Sequence, residues 1–176
     1  MSGLRRNRRR REQGQTLAEF AITAPILFLL LFGVIQVGLL MATQNGLVNG
    51  VRDSTRRAAT YRVNEQSLSG AIFTAVCDAV DDELEKRLQK EIPGFINDPG
   101  RRTTTVEYTW NADPTTNEYS LIANVRVQYT APLFIPLVGL LLNPANPDRF
   151  PLSASEQMRV ENPPITPISP GTAQTC

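Results

Sequence analysis

The sequence predicts an α+β protein: a long N-terminal transmembrane helix continuing outside the membrane, a second amphipathic helix, and a small antiparallel sheet of about three strands. Three observations predict it. Residues 17–42 are an apolar run in which Glu19 is the single ionisable group. A stripe of helical period occupies residues 68–90, and from residue 105 onward the apolar period changes to two.

The apolar run is the first element. Besides Glu19, only Thr23 and Gln36 carry polar side chains between Leu17 and Ala42. As a helix rising about 1.5 Å per residue, the run covers a hydrocarbon core of about 30 Å with length to spare. Arg5, Arg6, Arg8, Arg9, Arg10 and Arg11 precede it, which puts the N-terminus in the cytoplasm and the bulk of the chain across the membrane. A cleaved secretory signal begins the same way, but its apolar part is about 7–15 residues long and closes on a small-x-small site. Here the run ends Leu40-Met41-Ala42-Thr43, with leucine where a small residue is required. Pro25 removes one backbone hydrogen bond and is expected to kink the span.

Glu19 stands out, because an acid within a span costs roughly 2.5–3.5 kcal/mol at mid-bilayer and usually has a partner. One reading is a carboxylate at the headgroup level reaching back to the arginines. The other starts from Gly14: cutting after it removes the basic leader and leaves a new ammonium on Gln15. Residues 15 and 19 share a helix face, so amine and carboxylate can pair within one chain. The carboxylate can equally meet the ammonium of a neighbouring subunit.

A basic leader ending in glycine, then four residues, then Glu19-Phe20 and an apolar helix resembles the processing site of type IV-like prepilins. More specifically, the stretch from Gly14 through Phe20, with Pro25, Gly33 and the Gly38 region, resembles the TadE-like pseudopilins of tight-adherence pilus systems. Residues 51–59, 125–132 and 152–161 fit that family too, so the resemblance runs over most of residues 13–161. It implies cleavage after Gly14 by a prepilin peptidase, with Gly14, Gln15, Glu19 and Phe20 as the processing site. It also implies a minor structural role in pilus assembly, with other pilins or pseudopilins and the assembly platform as partners. The first mature residue is Gln15 rather than the phenylalanine common in type IV pilins.

The expected organisation is a leader (1–14), a transmembrane helix (15–43), an extracytoplasmic α+β domain (44–161) and a Pro-rich tail (162–176). Residues 1–13 are expected to be disordered until processing. The chain's net charge of +1 is set by the leader. Removing its six arginines and Glu12 from 18 basic and 17 acidic residues leaves 12 against 16, a net of −4. Basicity therefore belongs to the leader, whose place beside a span makes it topogenic, and nucleic-acid binding is not expected.

Helical sequence continues past Gln44 and Asn45 to about residue 62. Along it Gly38, Ala42, Gly46, Gly50, Ser54 and Ala58 recur every four residues, a ridge that lets helix backbones approach closely. It can serve the chain's own second helix or another subunit. That second helix, roughly 68–90, has Asn64 or Ser67 as its cap and Pro93-Gly94 as its stop. Ile72, Val76, Val80, Leu84 and Leu88 form its stripe, widened by Phe73 and Cys77. Asp78, Asp81, Asp82, Glu83 and Glu85 invite a cation-site reading. They lack the glycine turn and alternating oxygens of a calcium loop, and Asp82/Lys86 and Glu83/Arg87 are spaced as i, i+4 pairs. No metal or cofactor is expected. Cys77 and Cys176, the only cysteines, can form a disulfide in an oxidising compartment, or Cys77 can be a free core thiol.

Val106, Tyr108 and Trp110 line one face of a first strand, and Leu121, Ala123, Val125, Val127 and Tyr129 line a longer second one. A third candidate, 152–161, groups Leu152, Ala154, Met158 and Val160, with Glu156 breaking the face. The sheet is expected to bury one face on the second helix. Between strands two and three, residues 133–142 are apolar and too short to span a bilayer. They either pack over the helix–sheet core or form a patch touching the membrane surface or a partner. Pro163, Pro164, Pro167 and Pro170 mark the tail as extended.

An enzyme is not expected. The chain has no histidine, the usual base for a Ser or Cys nucleophile, and no Gly-rich phosphate loop or small-molecule site. The alternative to a pseudopilin is an uncleaved, single-span anchor carrying an extracytoplasmic binding or scaffold module.

Overall fold

A computed structural model describes residues 3–61, 71–94, 96–112, 119–161 and 172–176. Helix α1 runs from Gly3 to Thr60, about 85 Å at the α-helical rise. It includes the leader, for which disorder was the expectation; arginine is a good helix former and nothing there breaks the pattern. The two ends of α1 differ in environment. Between Leu17 and Val37 nearly every apolar side chain is exposed, whereas Leu40, Thr43, Leu47, Val51, Ser54, Thr55 and Ala58 are buried. That buried set repeats every three to four residues, a stripe facing a protein core. Thr23, Thr43 and Thr55 return their hydroxyls to carbonyls four residues back at 2.9, 2.8 and 2.7 Å, so α1 carries these polar groups without outside partners.

Helix α2 (Ala71–Glu91) buries Val76, Val80, Leu84 and Leu88 and is ended by Pro93. The proposed caps Asn64 and Ser67 lie outside the described residues, as do the side chains of Ile72 and Phe73. A short 3-10 turn, Pro99–Arg101, capped by the Asp98 carboxylate accepting from the Gly100 amide at 3.0 Å, redirects the chain into the sheet.

The sheet contains β1 (Arg102–Ala112), β2 (Tyr119–Pro132), β3 (Arg149–Arg159) and β4 (Thr172–Thr175) in the order β3-β2-β1-β4, every neighbour antiparallel. The three expected strands are present with the expected inward residues: Val106, Tyr108, Leu121, Ala123, Val125, Val127, Tyr129 and Ala154 are buried. Glu156 is half-buried opposite Val125.

Three expectations are refined or corrected. The expected extended tail gains a partner at its end: Thr172–Thr175 is a strand that pairs with β1 and covers its outer edge. Its four prolines lie outside the described residues. The sheet's nearest helix is α1, which lies along β2 and β3 while α2 packs on α1. The reason is length: the buried stripe of α1 from Leu40 to Ala59 is long enough to serve both α2 and the sheet. Finally, residues 133–142 do not fold over the core as a lid. Pro136–Leu142 forms α3, and of its surroundings only Leu133 is buried among the large apolar side chains, while Phe134, Leu137, Leu140 and Leu141 are more than half exposed.

Candidate functional site

At the N-terminal end, α1 passes through Gly14 without a break. The Gln15 amide Nε2 donates to Glu19 Oε1 at 3.1 Å, on one exposed helix face. Phe20 beside it is 66% exposed. Four residues of helix thus place whatever nitrogen residue 15 carries one turn from the Glu19 carboxylate.

The small-residue ridge divides in two. A Cβ added at Gly50 would lie 2.8 Å from Leu84 Cδ1, and one at Gly46 3.0 Å from Ile92 Cγ1. Ser54 donates its hydroxyl to the Val80 carbonyl at 3.2 Å, and Ala58 is fully buried with its carbonyl accepting from the Tyr108 hydroxyl at 3.0 Å. Gly46, Gly50, Ser54 and Ala58 therefore seat the chain's own α2 and β1. Gly38 has nothing within 4 Å of an added Cβ, and Ala42 is exposed. The membrane end of the ridge is left open.

Two connections tie α2 to the sheet. The Arg102 guanidinium, 4% exposed, donates to Asp81 Oδ1 at 2.9 Å and to Glu85 Oε2 at 2.6 Å. Burial pushes the Glu85 carboxyl up, but hydrogen bonds from Arg102, Gln89 and Asn97 outweigh it and hold the group below its ordinary value. Two of the clustered acids are thus engaged by an arginine, and Asp82 pairs with Lys86 at 2.6 Å as its spacing predicts. Arg87 turns to Asp53 of α1 and to Glu91 rather than to Glu83. Cys77 and Cys176 are disulfide-bonded, their Cα atoms 5.3 Å apart, fastening α2 to the residue after β4.

Residues 14–56 match the family model of TadE-like proteins. No curated protein and no solved structure matches the chain. The TadE-like stretch opens on Gly14 and contains Gln15, Glu19, Phe20 and the ridge as far as Ser54. It is also the one helix among the described residues that is long and apolar enough to cross a membrane. Span and match together suggest a single-pass membrane protein whose N-terminal helix is similar to TadE-like proteins. The TadE-like stretch stops before α2 and the sheet.

Sequence reasoning missed two side chains that join elements distant in sequence. Gln36, a polar residue in the apolar run, is 2% exposed; its Oε1 accepts from the Phe134 amide at 3.0 Å and its Nε2 donates to the Pro132 carbonyl at 3.5 Å. Its isolation among apolar residues was the available signal. Arg102, first residue of β1, carried no signal of its own, because its partners lie 17 and 21 residues away on another element.

Proposed function

We propose that this chain is a TadE-like minor pilin or pseudopilin. It is a membrane-anchored structural component of tight-adherence, type IV-like pilus assembly, and a prepilin peptidase matures it by cleavage after Gly14. The observation that carries the reading is the start of the family match: it begins at the glycine that ends the basic leader, five residues before Glu19.

The surrounding chemistry supports it. Glycine within a helix costs roughly 1 kcal/mol relative to alanine, which makes residue 14 an easy place for a peptidase to open α1. After cleavage, the Gln15 ammonium takes over the role of its side-chain amide beside Glu19, in the same chain or in the next subunit. Residues 15–43 stay in the cytoplasmic membrane with the arginine-rich side inward, and residues 44–161 stand outside it. The Cys77–Cys176 disulfide supports an oxidising compartment for that domain. Gly38 and Ala42 are where another pilin's helix approaches α1. The partners are this bilayer, the peptidase, other pilins or pseudopilins and the assembly platform. The chain's role is structural, and the chemistry is done to it.

Intact mass of the protein extracted from membranes of cells with and without a prepilin peptidase tests the reading. Loss of residues 1–14, dependent on the peptidase and abolished by Gly14→Ala, is the expected result. A full-length chain in both strains would instead mean an uncleaved anchor for an extracytoplasmic module.

A further inference from the structure

We infer that α3 is a second lipid contact: a short apolar helix of the extracytoplasmic domain that inserts into the outer leaflet beside α1 and fixes the depth at which the domain sits. The inference rests on the reading of α1 as a membrane span. A Cβ at Gly33 would lie 3.7 Å from Val138 of α3, and Gln36 holds the Phe134 amide and the Pro132 carbonyl. Gly33 and Gln36 stand about 24 and 29 Å along the helix from Leu17, within or at the outer edge of a hydrocarbon core of about 30 Å. Whatever packs there shares the depth of the outer acyl chains.

The side chains suit that depth. Residues 133–142 hold no charged group. Leu141 is 82% exposed, and Phe134, Leu137 and Leu140 are each more than half exposed. They continue the exposed apolar surface that Val34, Ile35, Val37 and Met41 present on α1. A patch continuous with a lipid-facing helix is covered by lipid.

The backbone suits it as well. Irregular chain at membrane depth is tolerated only where its polar groups are satisfied within the protein. Here the Phe134 amide goes to Gln36, the Leu133 amide to the Asp148 carbonyl at 2.9 Å, and the Gly139 amide to the Ile135 carbonyl at 3.0 Å. The Asn143 amide closes on the Gly139 carbonyl at 2.7 Å, and its side chain donates to the Arg149 carbonyl at 2.7 Å. Gly139 has no Cβ because one would collide with the Pro147 carbonyl, so the return loop folds tightly over α3. The ion pair of Asp148 and Arg149, exposed, follows after residues 143–147, and on this inference it lies among the headgroups.

The test is fluorescence quenching in the full-length chain reconstituted into phosphatidylcholine vesicles whose acyl chains are brominated. Trp110, the only tryptophan, is replaced by Phe, and single indoles are introduced as Leu141→Trp, Val34→Trp and Asp82→Trp. Far-UV circular dichroism and the intact disulfide check folding of each variant. The expected result is that the indole at 141 is quenched as strongly as that at 34, while that at 82 is not quenched. Quenching at 34 without quenching at 141 would overturn the inference and leave the span standing. A blue-shifted but unquenched indole at 141 would mean a protein partner covers α3, and would also overturn it. Quenching at neither 34 nor 141 would remove the span and the inference together.

Discussion

Glu85 and Arg102 show how single residues fix the seam between α2 and the sheet. The Arg102 side chain is nearly removed from water, and its charge is balanced by the two carboxylates it meets. Because Glu85 titrates below its ordinary value in the folded protein, the folded state favours its ionised form. Its contribution is fully present above the unfolded value of 4.5 and is lost as pH falls through the lower folded value. Denaturant unfolding of the protein in detergent micelles, followed from pH 6 down to pH 3, is expected to show stability declining through that window. Glu85→Gln is expected to flatten that decline, and an unchanged slope would count against the seam. Arg102→Ala is a different perturbation, since it strands two carboxylates at once. Its expected cost is about 2–3 kcal/mol, below that of a fully buried pair because Asp81 is half exposed. The fate of the acidic cluster was half legible. Asp82–Lys86 could be read because both residues lie on one helix, whereas Asp81 and Glu85 meet a strand that no spacing rule brings near them.

The ridge of α1 belongs to the scale of the element. Period and composition indicated a close-packing face, but a helix alone cannot say what fills it. Burial divides the ridge: Gly46 and Gly50 face Ile92, Leu84 and Leu88, while Gly38 faces open space. Adding volume at the two ends therefore has opposite consequences. Gly50→Leu forces Leu84 and its neighbours aside, an overpacking cost of about 1–3 kcal/mol, with the loss read as a lower denaturation midpoint in micelles. Gly38→Leu meets nothing within the chain and replaces a poor helix former, so stability is expected to hold or rise by up to about 1 kcal/mol. If Gly38 seats a neighbouring pilin helix, its variant keeps the fold and loses assembly, and that separation of fold from assembly is measurable. The stripe on α2 was legible for the same reason as the ridge, since Val76, Val80, Leu84 and Leu88 follow the helical period. The placement of the sheet on α1 was not, because strand alternation identifies which face is apolar and leaves its partner unspecified.

At the scale of the molecule, the disulfide joins residues 99 apart and ties the C-terminus to α2, while β4 covers the edge of β1. Closing so long a loop restricts the unfolded chain, and removing such a bond costs about 2–5 kcal/mol. Cys176→Ser is expected to lower the thermal midpoint and to speed exchange of the β4 amides, while α1 retains its protection. Loss of protection in both would show that the domain and the helix unfold together.

What the sequence determined by itself is everything carried by local pattern: the apolar span, its basic leader and Gly14–Glu19 spacing, the α2 stripe, and the inward faces of three strands. These follow from helical and strand periods and from the length of an apolar run, which neighbours in the chain suffice to define. Only the tertiary structure decided how the ridge is shared, which two carboxylates Arg102 meets, why Gln36 interrupts the apolar run, and that α3 lies beside Gly33. Each of those depends on groups distant in sequence meeting at a common place, where burial removes water and each polar atom takes whatever partner the packing brings to it.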